Sequence, residues 1–300
     1  MRTLLTLLFL LSFMLVFSGC GEKQEEKGSP EYILSIRNWD KERAERLKKE
    51  NGWLNLVGLY WLDEGENTFG SSKENKIVFP YNAAPQMGAF YLQDLIVTVE
   101  IKEDVNVLVD SSDIKTAVLE SDGNENTTIM EYKSLRWFMI EREGKFGIRL
   151  RDLNAPLVKN FDGIERFPIN ENWKIQADYV PLNPPLELLI PSVIETVSKD
   201  TAYGRLDFEI EGEKYSLYPT GKDELFIVFA DETSGVETYG AGRFLTAEAP
   251  DSSNTVILDF NKAYNPPCSF TKYATCPIPP KENRINVRIT AGEKTYGHGH

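Results

Sequence analysis

The apolar positions change period several times along the chain. Residues 4–17 are almost continuously apolar, interrupted only by Thr6 and Ser12. From residue 31 the spacing becomes helical: Ile33, Ile36, Trp39, Arg43 and Leu47 fall near one face, while Lys41, Glu42, Glu45, Lys48, Lys49 and Glu50 fall largely elsewhere. Ser29-Pro30-Glu31 supplies an N-cap, a proline for the first turn and an acid, and Asn51-Gly52 supplies the stop. The pattern predicts a helix over residues 31–50 that docks its apolar stripe on a core. After Gly52 the runs shorten to strand length: residues 53–62, 76–79, 96–101, 114–119, 127–132, 137–142 and 146–150. Gly, Asn, Asp or Pro bounds each run, and Asp122-Gly123 and Glu143-Gly144 read as hairpin turns. Residues 173–180 form a further strand, followed by the proline-rich break at 181–185. Residues 186–197 are open between helix and strand, with Pro191 and β-branched residues favouring strand. Residues 204–218 read as a hairpin turning at Glu211-Gly212, and residues 225–230 and 256–258 as buried strands.

Many short strands at this spacing predict an all-β fold, an antiparallel sandwich or barrel-like core with one N-terminal helix. The final part, residues 263–283, holds too many prolines for a regular ladder and reads as a long, ordered Pro/Cys-rich loop. The expected organisation is a signal peptide over 1–19, a solvated tether over 20–29, a helix plus β region over 30–181 and a C-terminal β region with the candidate site over 182–296. The two β regions are either separate or one continuous domain.

Arg2, the apolar run and Ser18-Gly19-Cys20 give the start the form of a secretory signal rather than a spanning helix. Small residues before Cys also match the bacterial lipoprotein signal, with Phe17 where that signal usually has leucine. The expectation is lipidation at Cys20 and anchorage in the cell envelope; the alternative is a plain cleaved signal. A net charge of −13 makes nucleic acid a poor partner, and leaves the lipid as the only membrane contact. His298 and His300 are the only histidines, so most Ser-His, Cys-His and His-metal mechanisms are removed unless the tail folds back. No metal and no cofactor is expected.

Candidate chemistry concentrates between Phe226 and Arg284. Arg243 and Arg284 are the groups best suited to hold an anion, because guanidinium matches carboxylate or phosphate as a fork. Each has a bland alternative, a local ion pair with Asp231 or Asp259. Tyr239, Asn265 and Asn283 are placed with the arginines as candidate ligand contacts. Asp259, Asp152 and Arg151 are the candidate catalytic groups; Asp63, Glu64 and Glu66 read as solvated turn residues. Gly240-Ala241-Gly242 is too short for a phosphate loop and reads as a bulge or tight turn. Cys268 and Cys276 read first as a disulfide, second as buried structural thiols, and more remotely as a metal or catalytic pair.

Three segments also resemble a known family: Thr238-Tyr239 with Gly242-Arg243-Phe244-Leu245; Leu258 to Cys268; and Cys276-Pro277-Ile278-Pro279-Pro280-Lys281-Glu282-Asn283-Arg284. They are similar to the hallmark of an uncharacterised prokaryotic family, domain of unknown function 1684. The Leu56–Leu62 run and the Arg166-Phe167-Pro168 step resemble its N-terminal half, so the resemblance extends over about residues 35–293. It implies no known activity. The function expected is a binding module for a small polar or anionic ligand. The alternatives are a cofactor-independent hydrolase or lyase using a carboxylate with an arginine, or a structural envelope protein.

Overall fold

The structure is a computed structural model that describes residues 25–297. The signal segment, Cys20 and the two terminal histidines lie outside the described residues, as does the start of the tether. Helix α1 spans Pro30–Lys48, with the Ser29 hydroxyl accepting the Tyr32 amide proton at its N-terminus. Leu56–Trp61 forms β1, Gly65–Gly70 β2, Ile77–Val78 β3, Gly88–Gln93 β4, Ile96–Ile101 β5, Val107–Val109 β6, Ser112–Ile114 β7 and Thr116–Val118 β8. Met130–Tyr132, Leu135–Arg142 and Lys145–Asp152 add β9, β10 and β11, and Pro156–Asn160 is a short helix, α2. The rest of the β structure is β12 (Lys174–Pro191), β13 (Val197–Ile210), β14 (Glu213–Leu217), β15 (Glu224–Phe229), β16 (Arg243–Glu248) and β17 (Thr255–Asp259).

The fold is all-β, with antiparallel sheets throughout apart from the parallel β2–β3 pair. A six-stranded sheet (β1-β11-β10-β9-β6-β7) faces a five-stranded one (β3-β2-β4-β5-β8) across a core built on Trp137, Phe69, Phe79, Phe90, Ile148 and Leu150. The C-terminal half wraps a four-stranded sheet (β14-β13-β12-β17) and the β15–β16 hairpin around a second core that includes Leu206, Leu225, Ile227, Phe229, Leu258 and Phe260. Helix α1 precedes the first sandwich in sequence but ties to the second half: Tyr32 donates to Asp259, and Arg43 pairs with Glu293.

Turn chemistry explains where local pattern and structure agree. Glu143-Gly144 and Glu211-Gly212 both have positive φ at the two central positions, the primed geometry that matches strand twist, and they close β10–β11 and β13–β14. Asp94-Leu95 and Asp110-Ser111 adopt the same geometry without glycine and close β4–β5 and β6–β7, two hairpins the sequence reading lacks. Asp122-Gly123 does not close a hairpin. It lies in the connection between β8 and β9, which belong to different sheets; the apolar run at 114–119 is itself split between β7 of one sheet and β8 of the other. Glu66 stands within β2 rather than in a solvated turn.

The prolines at 181–185 fall inside one long strand. β12 pairs with β13 on both sides of them, with the register shifted between Pro181 and Leu186. Prolines cannot donate to a ladder, so this stretch bulges and pairing resumes beyond it. Residues 186–191 are strand, and with β13 they form an arm. Beyond β17, the described residues as far as Gly297 form three single-turn helices and isolated bridges rather than strands.

Candidate functional site

The β15–β16 hairpin places Arg243 opposite Phe229, just after a tight turn. Gly242 makes that turn possible: its φ is +87°, and a Cβ there would meet the Phe229 carbonyl oxygen at 2.5 Å. The Arg243 side chain is fully buried and pairs with Asp231 at 3.2 Å. It also donates to the carbonyls of Ile289 and Ala291. Asp231 in turn accepts the Ile289 amide at 2.8 Å and the Thr233 hydroxyl. Burial pulls the Arg243 pKa down while Asp231 pulls it back up. This charge is therefore committed to fastening residues 289–291 onto the hairpin.

Three further clusters fasten the same region. The Tyr32 hydroxyl donates to Asp259 at 2.7 Å and accepts from the Asn261 amide at 2.8 Å, while Asn261 also exchanges hydrogen bonds with the Asn170 backbone. Arg43 donates to Glu293 and to the Asn265 carbonyl, and the Asn265 amide donates to Glu293 at 2.7 Å. Asn283 accepts from the Tyr218 amide and donates to the Tyr218 carbonyl, a two-point clamp onto the end of β14. In the first half, Arg151 donates to Asn55 and to the Gly52 carbonyl, and Asp152 accepts from Asn82 and the Asn154 amide. Arg284 is exposed; its backbone bridges Ala230, beside the Phe229–Arg243 pair, but its guanidinium makes no ion pair among the described residues. The structure thus brings Tyr239, Cys268 and Cys276 together, and Asn265 with Glu293. It leaves Arg151 and Asp152 on the other sandwich.

A half-open cleft of about 290 Å³ lies between the β12–β13 arm and the Pro/Cys loop. The loop holds the arm through its backbone: the Val193 amide donates to the Cys276 carbonyl at 3.0 Å, and the Ile278 amide to the Pro191 carbonyl at 2.7 Å. Ile190, Phe226 and Val228 give the cleft an apolar floor, and Ser198, Thr220 and Thr275 bring hydroxyls to it. Arg142, Glu143 and Asp200 reach its rim. Arg142 is already forked onto Asp122 at 2.8 and 2.6 Å. Of the expected ligand contacts, Asn283 lines this cleft; Arg243, Arg284, Tyr239 and Asn265 do not. A larger and more open depression of about 930 Å³ lies on the outer face of the six-stranded sheet, beside Arg136, Phe138 and Arg151.

Behind Thr275 sits Arg149, a residue the sequence reading misses. It is 3% exposed, donates to the Thr275 hydroxyl at 3.1 Å, and has no carboxylate within ion-pair distance among the described residues. Its Nε has no partner. Burial lowers its pKa to about 10, and the like charge of Arg142 adds to the effect. Arg149 and Arg151 alternate with Ile148 and Leu150 along β11, so one face of a strand carries two arginines inside an otherwise apolar run. That alternation was the available signal.

Cys268 and Cys276 are adjacent free thiols, so the structure differs from the disulfide expected first. The Cys268 amide donates to the Cys276 sulfur at 3.0 Å, and the Tyr239 hydroxyl donates to the Cys268 carbonyl at 3.3 Å. Contact with Cys276 draws the partly buried Cys268 thiol below its ordinary pKa. Burial pushes Cys276 up.

Residues 159–294 match the model of a family described as "Protein of unknown function (DUF1684)". The match takes in the three C-terminal motifs and the Arg166-Phe167-Pro168 step, but not the Leu56–Leu62 run. No curated protein matches the chain. Among solved structures, the chain is similar to an uncharacterised protein of Haloarcula marismortui solved by NMR, at 26% identity over 46% of this chain and 80% of that one, with a TM-score of 0.39. It is also similar to the Rv0020c FHA structure, at 11% identity over 34% of this chain and 98% of that one, TM-score 0.22. A third is Mycobacterium tuberculosis EmbR in complex with a low affinity phosphopeptide, at 9% identity over 39% and 30%, TM-score 0.22.

Proposed function

We propose that this protein is an envelope-anchored binding module for a small polar ligand, which it takes into the cleft between the β12–β13 arm and the Pro/Cys loop. The observation that carries the reading is the cleft's construction: a half-open space of about 290 Å³ lined by apolar Ile190, Phe226 and Val228 together with the hydroxyl-bearing Ser198, Thr220 and Thr275. Ligand sites are typically concave, mostly apolar and fitted with a few placed polar groups. Hydroxyls and the Asn283 carboxamide suit a hydroxyl- or amide-bearing molecule with one apolar face. The rim acids Glu143 and Asp200, and the Arg142 charge already matched by Asp122, favour a neutral polar ligand over a multiply charged anion. The hydrolase or lyase alternative needs a carboxylate in reach of the substrate. Asp152 and Asp259 do not line this cleft, which favours binding over catalysis.

Ile194 lies at the mouth of the cleft and is only partly buried. Ile194→Trp is expected to fill the mouth while keeping the ligand-free melting temperature within a few degrees of wild type. A thermal-shift screen of small polyols, sugars and amides is expected to find stabilisers of the wild type that Ile194→Trp no longer responds to. A stabiliser that acts equally on both proteins places binding elsewhere and overturns the assignment of this cleft.

A further inference from the structure

The Pro/Cys loop holds an arrangement that ligand binding in the cleft does not require. Two cysteines lie side by side, the Cys268 amide 3.0 Å from the Cys276 sulfur, with Cys268 partly buried and Cys276 buried. A buried guanidinium with no carboxylate partner among the described residues, Arg149, is held at 3.1 Å from the hydroxyl of Thr275, the residue next to Cys276 in the chain. Burying an unmatched positive charge costs several kcal/mol, so the site is arranged to receive a negative one. A structural dithiol needs none of this; Cys276 packs with Val228, Phe244 and Ala274 in an apolar cluster that asks for no thiol chemistry.

We propose that Cys268 and Cys276 form a reversible redox pair, with Cys268 the attacking thiol, Cys276 the resolving thiol and Arg149 the residue that positions and stabilises the resolving sulfur. The oxidant is a low-molecular-weight disulfide. The Cys268 thiolate attacks one sulfur of that disulfide; the sulfur–sulfur bond breaks and one small thiolate leaves, giving a mixed disulfide on Cys268. The Cys276 thiol then gives up its proton and its sulfur attacks the Cys268 sulfur. The second small thiolate leaves and takes a proton. The dithiol has lost two electrons and two protons, and the small disulfide has become two thiols. Accessibility sets the order of attack, since thiol–disulfide exchange requires in-line approach to an exposed thiolate. Cys268 is the less buried of the two residues, and Cys276 is shielded behind the arm that its carbonyl holds. The proposal does not depend on what occupies the cleft.

The test uses the full chain, reduced and then equilibrated in glutathione redox buffers, quenched by alkylation and read by peptide mass mapping, which keeps Cys20 separate. Wild type is expected to pass from two alkylated thiols to a Cys268–Cys276 cross-link as the buffer becomes oxidising, and to return on reduction. Cys276→Ser is expected to trap a glutathione adduct on Cys268. Cys268→Ser is expected to form its adduct on Cys276 at least ten-fold more slowly. Arg149→Met is expected to accumulate the mixed disulfide on Cys268 because closure slows. The proposal is overturned if native wild type stays reduced across the series while denatured wild type cross-links, or if it stays cross-linked throughout. Equal adduct rates on the two cysteines overturn the assigned order. Closure at the wild-type rate in Arg149→Met removes Arg149 from the mechanism.

Discussion

Arg243 shows how a residue type suited to ligand capture serves to hold the fold. A guanidinium is equally fit to hold a substrate carboxylate or the chain's own, and here Asp231 takes it with both side chains fully buried. Removing one partner of a buried pair leaves the other charge unmatched, at a cost of about 3–5 kcal/mol. Arg243→Met is expected to lose that much in urea denaturation. Because the two residues share one interaction, Arg243→Met combined with Asp231→Leu is expected to lose less than the two single losses added together. A single-variant loss below about 1 kcal/mol would show that the pair is dispensable. Asn283 differs in that its side chain both clamps β14 and lines the cleft, so its substitution reports on fold and site together.

At the level of elements, the β13–β14 hairpin is pinned on its outer face by Arg205, which forks onto Asp207 at 2.6 and 2.7 Å, and by Ser216, which donates to the same carboxylate. The Arg205 hydrogen bonds hold the Asp207 pKa below its ordinary value. A carboxylate depressed on folding adds stability above its unfolded pKa, and that stability is lost as pH falls through the folded value. Both partners are about one-third exposed, so solvent screening keeps the contribution small. Asp207→Asn is therefore expected to melt slightly below wild type at neutral pH, and the two melting curves are expected to converge once the pH falls beneath the carboxylate range. A gap that persists unchanged in acid would assign the effect to packing. Much of this element-level structure was legible from the chain: the helix, the Glu-Gly hairpins and the proline-braced loop each follow from local rules. The Asp94-Leu95 and Asp110-Ser111 turns were not, because their positive φ values fall on residues that carry no sign of it.

For the molecule as a whole, the N-terminal helix is fastened to the C-terminal loop by contacts 227 and 250 residues apart in sequence. The cleft likewise needs the arm, the loop and the β10–β11 turn together. Anchorage is the molecular property most open to direct test. Ser18-Gly19-Cys20 after the apolar run motivates lipidation at Cys20. Cys20→Ser is expected to release the protein from the membrane fraction, as read by detergent partitioning and by mass of the mature N-terminus. A wild type that is already soluble and begins at another residue would overturn the lipoprotein reading.

The sequence by itself determined the all-β class, the capped helix, the glycine-marked turns and the region where chemistry-bearing residues gather. These depend on periodicity, propensity and backbone freedom, which act over a few residues and leave their mark in the chain. Only the tertiary structure decided which polar groups are committed to one another. Arg243 meets Asp231 and Asp259 meets Tyr32, whereas Arg149 meets no carboxylate among the described residues. A side chain's partner is set by which strand lands beside it, and a gain or loss of one buried charge pair is decided over ångströms, not over positions in sequence. For the same reason the cleft had no counterpart in any single stretch, and the two cysteines gave their spacing but not the guanidinium behind them.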